Sequence, residues 1–485
     1  MKYPLSVQWH ITTDCSNHCK HCYMYDAATY ATERDGTLSF DGLMSVLERI
    51  ADFEREYDAD IHHIAITGGD PLLRKDWREF VGELRRRGKA VTVMGNPETI
   101  TAETARTLSE LGVRRFQLSL DGLEQTHDAF RSPGSFQRAI EKLGVLASHG
   151  ISAQVMFTLY PSNQEELVPL LRYVATRTQA ASFSFDLGCS VGNAKQLSRT
   201  FSPEDIRAIF SAYLAEKKRL RDQGCSLRID EKPRLLNLVR FAEQTYYPFV
   251  PVQAPVLSGC LVGWNCIGIL SNGSVVACRR MALTIGKLPE QPLDEIFLGT
   301  ELLKKFRRPE YFEKCGACDF FKVCRGCPAH VHGLTGDAFA PNPLCFRSSV
   351  DRTTPEARWI LPGPPLSVTY AEEWAYIRSR IQVIEPLREI IVRAEFQNSF
   401  LDLTYDSDKR GRFLADPRKY RADEAGDLRD SDIYYLLELF SGSRYHRLWP
   451  EEKGAIRDRV ERIILHRMRE RRETSPAAIG DDEKR

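Results

Sequence analysis

Cysteine is the residue that most constrains this chain. Its 485 residues include 13 cysteines, and eleven of these fall into three groups, at positions 15–22, 260–278 and 315–345. Thiols that merely fill a core would be scattered along the sequence, and clustered cysteines more often bind metal, because disulfides are rare in reducing compartments. We therefore expect metal to organise a large part of this protein. The other two, Cys189 and Cys225, are expected to be structural thiols.

Composition narrows the class of protein. Hydrophobic residues make up 42% and charged residues 27% of the chain, as in soluble globular proteins. The net charge of +1 does not predict a nucleic-acid partner. No apolar run approaches the ~20 residues of a membrane span, and the N-terminus lacks a signal-peptide layout. We expect a cytoplasmic protein of two or three domains, bound to neither nucleic acid nor membrane.

The first cysteine group is Cys15-x3-Cys19-x2-Cys22, which directly follows an apolar segment. Three thiolates in one short loop can hold a [4Fe–4S] cluster, since thiolates are its usual ligands. Three ligands leave one iron open to bind a substrate. The alternative is a zinc site, in which His18 or His21 would supply the fourth ligand.

Strand and helix patterns alternate over the first 190 residues, which predicts a parallel sheet with crossover helices. Six such units favour a partial (β/α)6 TIM-like barrel, whose sites lie at the carboxyl ends of the strands. The predicted strands are Leu5–Ile11, Ile61–Ile66, Ala90–Met94, Arg115–Ser119, Ala153–Thr158 and Ser182–Asp186. The predicted helices are Asp41–Glu54, Trp77–Arg87, Ala102–Leu111, Phe136–Ser148 and Gln164–Ala175.

Two motifs stand at these strand ends. Gly68-Gly69-Asp70-Pro71 ends the second strand, and Ser119-Leu120-Asp121-Gly122 ends the fourth. Either would be explained in isolation by a turn or a helix cap. Together with the cysteine triplet they resemble the radical S-adenosylmethionine superfamily. In that superfamily the open iron chelates the amino and carboxylate groups of the methionine moiety, and reductive cleavage releases a 5′-deoxyadenosyl radical.

The resemblance implies roles for individual residues. Gly68, Gly69 and Asp70 are expected to hold the methionine amino group, although Glu is commoner at position 70. Ser119 and Asp121 match positions near the ribose and the carboxylate. The other residues that the resemblance places at the cofactor are Arg131 (a carboxylate partner), His21 (beside the adenine) and Asn96, whose Met94-Gly95-Asn96-Pro97 context departs from the commoner Thr-Asn-Gly.

The later cysteines read Cys260-x5-Cys266-x11-Cys278 and Cys315-x2-Cys318-x5-Cys324-x2-Cys327, followed by Cys345. Ser271–Ser274 predicts a hairpin turn. A zinc ribbon is the alternative for paired C-x2-C motifs. The eight cysteines resemble the SPASM domain, whose two auxiliary [4Fe–4S] clusters would give three clusters in all. The resemblance implies one ligand set of Cys260, Cys266, Cys278 and Cys327, and a second of Cys315, Cys318, Cys324 and Cys345.

Enzymes with this domain pair mostly modify peptides or proteins. The resemblance implies a peptide or small-protein maturase that installs intramolecular cross-links, with Cys-to-carbon thioethers as the leading prediction. The quinohaemoprotein amine dehydrogenase small subunit is one candidate substrate. Sulfatase maturases carry an Asp base just after the cysteine that matches Cys278, where this chain has Arg279 and Arg280. Formylglycine formation and carbon–carbon coupling remain alternatives, as does a non-catalytic zinc scaffold.

The remaining catalytic candidates are few. Arg279 and Arg280 would bind a carboxylate, while Asp186 and Tyr160, at strand ends, are candidates for the residue that accepts the final proton. A reducing partner such as flavodoxin or ferredoxin is implied. A leader-binding domain has no room before Leu5, so leader capture would need a separate protein or the C-terminal extension.

The predicted domain boundaries follow from these patterns. They are a barrel at 1–190, a connecting helical region at 191–257 with a helix at Phe201–Gln223 and a linker at Tyr246–Pro255, the auxiliary-cluster domain at 258–347, a helical extension at 348–474 and a disordered tail at 475–485. Within the extension the predicted helices are Ala371–Glu395, Asp432–Phe440 and Glu451–Arg472.

Overall fold

The structure is a computed structural model of the chain. It describes residues 2–24, 27–197, 200–236, 238–239, 260–318, 321, 324–347, 363–380, 394–415, 417–425, 428, 433, 436, 461–462 and 464–465. The predicted linker Tyr246–Pro255, the predicted helix Glu451–Arg472 for the most part, and the predicted tail lie outside these residues.

The described part of the barrel follows the predicted alternation. Its strands are β1 (Tyr3–Thr12), β2 (Ala59–Gly68), β3 (Ala90–Met94), β4 (Arg115–Ser119), β5 (Ser152–Leu159), β6 (Ser182–Leu187) and β7 (Arg228–Glu231). The helices are α1 (Ala27–Asp35), α2 (Phe40–Tyr57), α3 (Trp77–Arg86), α4 (Ala102–Glu110), α5 (Glu124–Phe130), α6 (Ser135–Ser148), α7 (Leu167–Arg177) and α8 (Pro203–Asp222). All seven strands run parallel in sequence order. The six predicted strands and the partial barrel are confirmed, and β7 is an unpredicted seventh strand.

Alternation along the strands separates the core from the interior of the barrel, which we call the lumen. On β5 the buried Val155, Phe157 and Leu159 alternate with the half-buried Gln154, Met156 and Thr158. The buried set packs with apolar faces of the crossover helices, as expected for a sheet covered on its outer side. The half-buried set faces the lumen, where the carboxyl ends of the strands gather the chemistry.

The segment after residue 260 extends the same sheet. Strands β8 (Cys266–Ile269), β9 (Ser274–Cys278) and β10 (Met281–Lys287) form an antiparallel meander, and β8 pairs in parallel with β1. The hairpin predicted at Ser271–Ser274 is confirmed. Gly273 has φ +85°, and a Cβ there would lie 2.0 Å from the carbonyl oxygen of Leu288. Only glycine fits this turn.

Helices α9 (Glu301–Phe306), α10 (Pro328–Thr335) and α11 (Tyr370–Arg380) complete the first of two compact units, residues 1–239 with 252–382. Arg307, Arg308 and Glu373 are fully buried there, and Glu373 accepts hydrogen bonds from both guanidinium groups. This ion cluster attaches α11 to the segment that follows α9.

The second unit comprises residues 240–251 and 383–485. Its described helices are α12 (Ala394–Tyr405), α13 (Ser407–Ala415) and α14 (Pro417–Glu424). They bury Phe396, Phe400, Leu403 and Phe413 in one apolar cluster. The extension is therefore helical in its described part, as predicted.

Candidate active site

The cysteine triplet lies in the loop that follows β1. The Asn96 amide donates to the Sγ atom of Cys15 at 3.1 Å, and an Arg131 Nη atom lies 3.7 Å from the Sγ atom of Cys19. Cys19 is buried, whereas Cys15 and Cys22 are half-buried. Hydrogen bonds to cysteine sulfur stabilise the thiolate form and tune an iron–sulfur cluster. The loop therefore provides three thiols with polar donors already directed at two of them.

Gly68 and Gly69 bring the end of β2 against this loop. A Cβ at Gly68 would lie 2.1 Å from the carbonyl oxygen of Thr12, and one at Gly69 would lie 2.1 Å from that of Asp14. The Gly69 amide donates to Thr12 and the Asp70 amide donates to Asp14. No other residue type permits this approach. The glycine pair thus fixes the cysteine loop, besides any contact it makes with a ligand.

Asp70 is fully buried beside the loop. Its carboxylate accepts from the Thr99 hydroxyl at 2.8 Å and from the Leu72 amide at 3.2 Å. Burial raises the pKa of Asp70 to about 6, against these hydrogen bonds, which lower it. An ammonium group placed beside it would offset that burial.

Asp121 and Arg131, both predicted at the cofactor, pair with each other at 2.7 Å. Burial by itself raises the pKa of Asp121, but the charge of Arg131 and the neighbouring His21 outweigh it and hold the pKa at about 2. The backbone amide of Asp121 donates to His127 Nδ1 at 3.1 Å, a contact that sequence reasoning did not assign. Arg131 therefore joins Asp121 to the Cys19 thiol.

His21 forms part of an aromatic wall next to the loop. Its ring meets Phe130 edge-to-face at 5.2 Å and Tyr160 at 5.8 Å. Burial lowers the pKa of His21 to about 4, so the imidazole is neutral. Among the described residues, its buried Nδ1 atom has no hydrogen-bond partner. A polar edge of a bound ligand would satisfy that atom.

The lumen holds the other catalytic candidates. Arg280 pairs with Asp186 at 3.0 Å and lies 3.5 Å from the Sγ atom of Cys327. Arg279 lies 3.7 Å from Met94 Sδ. Tyr160 packs over Gly188, and burial raises its pKa, so the phenol is protonated at neutral pH. Ser119, half-buried at the end of β4, completes the predicted set.

Sequence reasoning missed one lumen residue, Lys232. It directly follows β7, and its Nζ atom lies 3.4 Å from both Gln117 Oε1 and Met156 Sδ. No motif surrounds it, and β7 itself is too short and polar to be recognised from its pattern. The strand is identified in the structure by its parallel pairing with β6.

The electrostatic neighbours of the eight later cysteines divide them into two sets of four, and Cys189 lies near Cys327 and Cys278 of one set. Burial raises the pKa of the Cys324 thiol, and the nearby thiols Cys315, Cys345 and Cys318 raise it further. Burial likewise raises the pKa of Cys327 to about 12, with contributions from Cys260 and Cys278. Burial, followed by the nearby thiols of Cys260 and Cys278, raises the pKa of Cys266. These neighbours are the members of the two predicted ligand sets.

Arg325 lies between the two sets. It is buried with φ +53°, and its Nε and one Nη atom have no hydrogen-bond partner among the described residues. Burial lowers its pKa to about 10, while the Cys260 and Cys266 thiols raise it. A buried, unpaired guanidinium is costly unless anionic groups compensate it. Anionic clusters held by the surrounding thiols would supply that compensation.

The donor sets therefore fit iron–sulfur clusters, and Cys15, Cys19 and Cys22 would hold the one with an open iron. When bound, that cluster would supply the electron for reductive cleavage of S-adenosylmethionine. Among the described residues, no three Cys, His, Asp or Glu side chains converge on a single-ion position. Within the same residues, no helix is both long and apolar enough to span a bilayer.

Comparisons with known proteins agree with this site. Residues 9–174 match the model of the Radical SAM superfamily, and residues 260–319 match the SPASM iron–sulfur cluster-binding domain. The chain is 28% identical to an AdoMet-dependent heme synthase of Nitratidesulfovibrio vulgaris, over 70% of this chain and 91% of that protein. It is 23% identical to the PqqA peptide cyclase of Rhizobium meliloti, over 73% and 90%.

A solved structure shares the fold. Streptococcus suis SuiB bound to its precursor peptide SuiA superposes with a TM-score of 0.57, at 16% identity, over 71% of this chain and 76% of SuiB. The two domain matches cover the cysteine triplet and five of the eight later cysteines. The chain carries a radical S-adenosylmethionine domain followed by a SPASM domain, and is a radical S-adenosylmethionine enzyme.

Proposed function

We propose that this enzyme modifies a peptide or small protein by installing intramolecular cross-links, most specifically thioethers between a cysteine sulfur and a carbon. The observation that carries the proposal is Arg280, which connects Asp186 in the lumen with the Sγ atom of Cys327. It places a lumen carboxylate next to an auxiliary cysteine set. Similarity to a peptide cyclase and to the fold of SuiB supports a peptide substrate.

Thioether formation removes two hydrogen atoms from the substrate, one from carbon and one from the thiol. The first leaves as a hydrogen atom, taken by the 5′-deoxyadenosyl radical. The second leaves as a proton and an electron. Asp186 is the lumen carboxylate that pairs with Arg280 beside Cys327, whereas the protonated Tyr160 is better suited to lining the site. Asp186 would take the proton, and the electron would leave through the auxiliary clusters predicted at the two cysteine sets.

A second candidate function is tetrapyrrole modification. It is favoured by the similarity to AdoMet-dependent heme synthases, at 28% and 27% identity, over more than 90% of each of those proteins. Porphyrin propionates are carboxylates, which the cationic lumen side chains would also accept. Relatives with this domain pair support either a peptide or a tetrapyrrole substrate, so identification of the product is needed to distinguish the two functions.

The test is anaerobic co-expression with small open reading frames next to the gene, followed by peptide mass measurement. A loss of two hydrogen masses per cross-link, at a cysteine that no longer reacts with iodoacetamide, is the expected result. The same mass loss with a reactive cysteine would favour carbon–carbon coupling, and formylglycine would overturn cross-linking. In parallel, turnover of iron coproporphyrin III without any change in peptide mass would establish the tetrapyrrole alternative.

The partners remain part of the proposal. Reductive cleavage needs a low-potential donor such as flavodoxin or ferredoxin. A separate leader-binding protein would deliver the peptide if the helical extension does not.

A further inference from the structure

Two cations face the barrel lumen without a carboxylate partner among the side chains that the structure describes. Among the described residues, the Lys232 ammonium contacts the Gln117 amide oxygen and the Met156 thioether, both at 3.4 Å. The Arg279 guanidinium lies near the Met94 thioether and 5.5 Å from the centre of the Tyr23 ring. Thioethers and ring faces are weak partners for a cation.

The nearby carboxylates are already engaged. Asp186 pairs with Arg280 at 3.0 Å. Asp230 pairs with Arg228 at 2.8 Å, and both of those side chains are largely exposed. Lys232, Arg279 and Arg280 therefore face one engaged carboxylate in the described lumen, which leaves an excess of positive charge. Such an excess in a low-dielectric space favours an anionic ligand.

We propose that Lys232 and Arg279 form a substrate-carboxylate subsite within the barrel lumen. This subsite refines the proposed function. Its position relative to the reacting carbon rests on that function. An Asp or Glu side chain of a peptide is the ligand that the proposed function predicts. A porphyrin propionate has the same chemistry and would bind the same two groups.

The electrostatics of Lys232 agree with this geometry. Burial lowers the pKa of Lys232 to about 8, Asp186 and Asp230 raise it, and Arg279 and Arg280 lower it further. The ammonium form predominates at pH 7, but burial of its charge costs free energy. A carboxylate bound between Lys232 and Arg279 would relieve that cost and raise the pKa again.

The carboxylate of S-adenosylmethionine is the competing occupant. Ser119 and Asp121, the positions predicted for that cofactor, lie at and beyond the end of β4. Gln117, which Lys232 contacts, lies two residues before Ser119 on β4, and is therefore one inward-facing position deeper in the barrel. Met156, the other contact of Lys232, pairs in register with Ser119, so the subsite adjoins the predicted cofactor position and extends one inward-facing position deeper.

The experiment measures trace acetylation of Lys232 by acetic anhydride in the holoenzyme with S-adenosylmethionine bound, at pH 7, by peptide mapping. The probe is glutarate, with uncharged glutaramide as its matched control. Exposed Lys218 on α8, which pairs with Asp222, is the internal reference. Only the unprotonated amine reacts, so raising the pKa by one unit slows Lys232 about tenfold.

We expect glutarate, but not glutaramide, to slow Lys232 about tenfold while Lys218 is unchanged. Arg279→Met, checked for full iron content, should need more glutarate for the same protection. Equal rates in glutarate and glutaramide would overturn the subsite. So would complete protection by S-adenosylmethionine alone with no further effect of glutarate.

Two further probe pairs identify the source of the carboxylate. A synthetic peptide with one Cys and one Asp is compared with its Asn counterpart, and iron coproporphyrin III with its tetramethyl ester. Protection by the Asp peptide supports the subsite and the proposed function together. Protection by the porphyrin alone supports the subsite while contradicting the peptide function, so the two can fail separately.

Discussion

The two cysteine regions are built in opposite ways. The first three thiols lie in a loop that regular strands position, with glycines, a buried Asp121–Arg131 pair and Asn96 holding it. Of the eight later thiols, Cys260 precedes a short meander, two lie in the meander and five lie in the segment 309–347, whose described helical elements are short. At the first site Arg131 balances the charge of Asp121, while Asp70 is held by hydrogen bonds. At the second, Arg325 has unsatisfied donors. The barrel prepares a site for a cofactor, whereas the auxiliary region needs its clusters to complete it.

Removing thiols should separate the two regions most strongly. The triple substitution of Cys15, Cys19 and Cys22 by Ala should abolish 5′-deoxyadenosine formation, and iron should fall from about 12 to about 8 per chain, since each cluster holds four. Cys324→Ala, the matched change in the other region, should lose iron but keep cleavage of S-adenosylmethionine without substrate. Iron analysis and nucleoside chromatography measure both. Cleavage by the triple variant would contradict the assignment of the first loop.

Chelating the iron should affect the regions unequally. Amides between 315 and 347 should lose hydrogen-exchange protection, because metal binding supplies much of the folding free energy of such segments. Amides of β2 to β5 should keep theirs, since they depend on the sheet and its apolar core. Mass-spectrometric exchange on the holoprotein and chelated protein measures this. Equal loss in both regions would mean that the barrel also depends on its cluster.

Asp70 tests the balance of charge in the barrel site. Its pKa in the folded state, about 6, lies above the ordinary value near 4. The folded state therefore binds a proton at Asp70 more tightly than the unfolded state does. The free energy of unfolding of the wild type should therefore fall relative to Asp70→Asn as pH rises from 4 to 6. Above that window the buried charge costs about 2–3 kcal/mol.

Denaturant unfolding of both proteins, each without S-adenosylmethionine, measures this difference. Thr99→Val, which removes one donor to Asp70, should make the pH dependence steeper. A difference between wild type and Asp70→Asn that is the same at pH 4 and pH 7 would show that the carboxylate is solvated.

The smallest expected effect concerns Arg325. Arg325→Met removes a buried positive charge beside both thiol sets, which should lower the potentials of the auxiliary clusters by an amount on the order of tens of millivolts. The cluster in the first loop should be unaffected. Electron paramagnetic resonance during a redox titration distinguishes the signals. The matched control is Arg228→Met, which removes an exposed arginine of β7; an equal shift there would exclude a local effect.

The sequence predicted the regular parts well and the convergence of side chains poorly. Strands β3 and β4 have the predicted bounds because their apolar runs end at turn residues. The four-residue β7 has no such pattern and exists through its pairing with β6. Asp121 and Arg131 were assigned separately to the cofactor, but α5 brings them together. Lys232 and Arg325 were missed because their positions depend on which strands and thiols surround them in three dimensions.

The parallel pairing of β1 with β8 has a consequence for synthesis. The Tyr3 hydroxyl donates to the carbonyl oxygen of Trp264, and Ser6 and Val7 pair with Cys266 and Ile267. One edge of β1 therefore stays unpaired until residues near position 266 have been synthesised. At about 5–20 residues per second, that edge stays unpaired for roughly 13–50 s on the ribosome. An unpaired edge promotes association with other chains. The emerging barrel is therefore open to such association until β8, the strand that covers this edge, has been made.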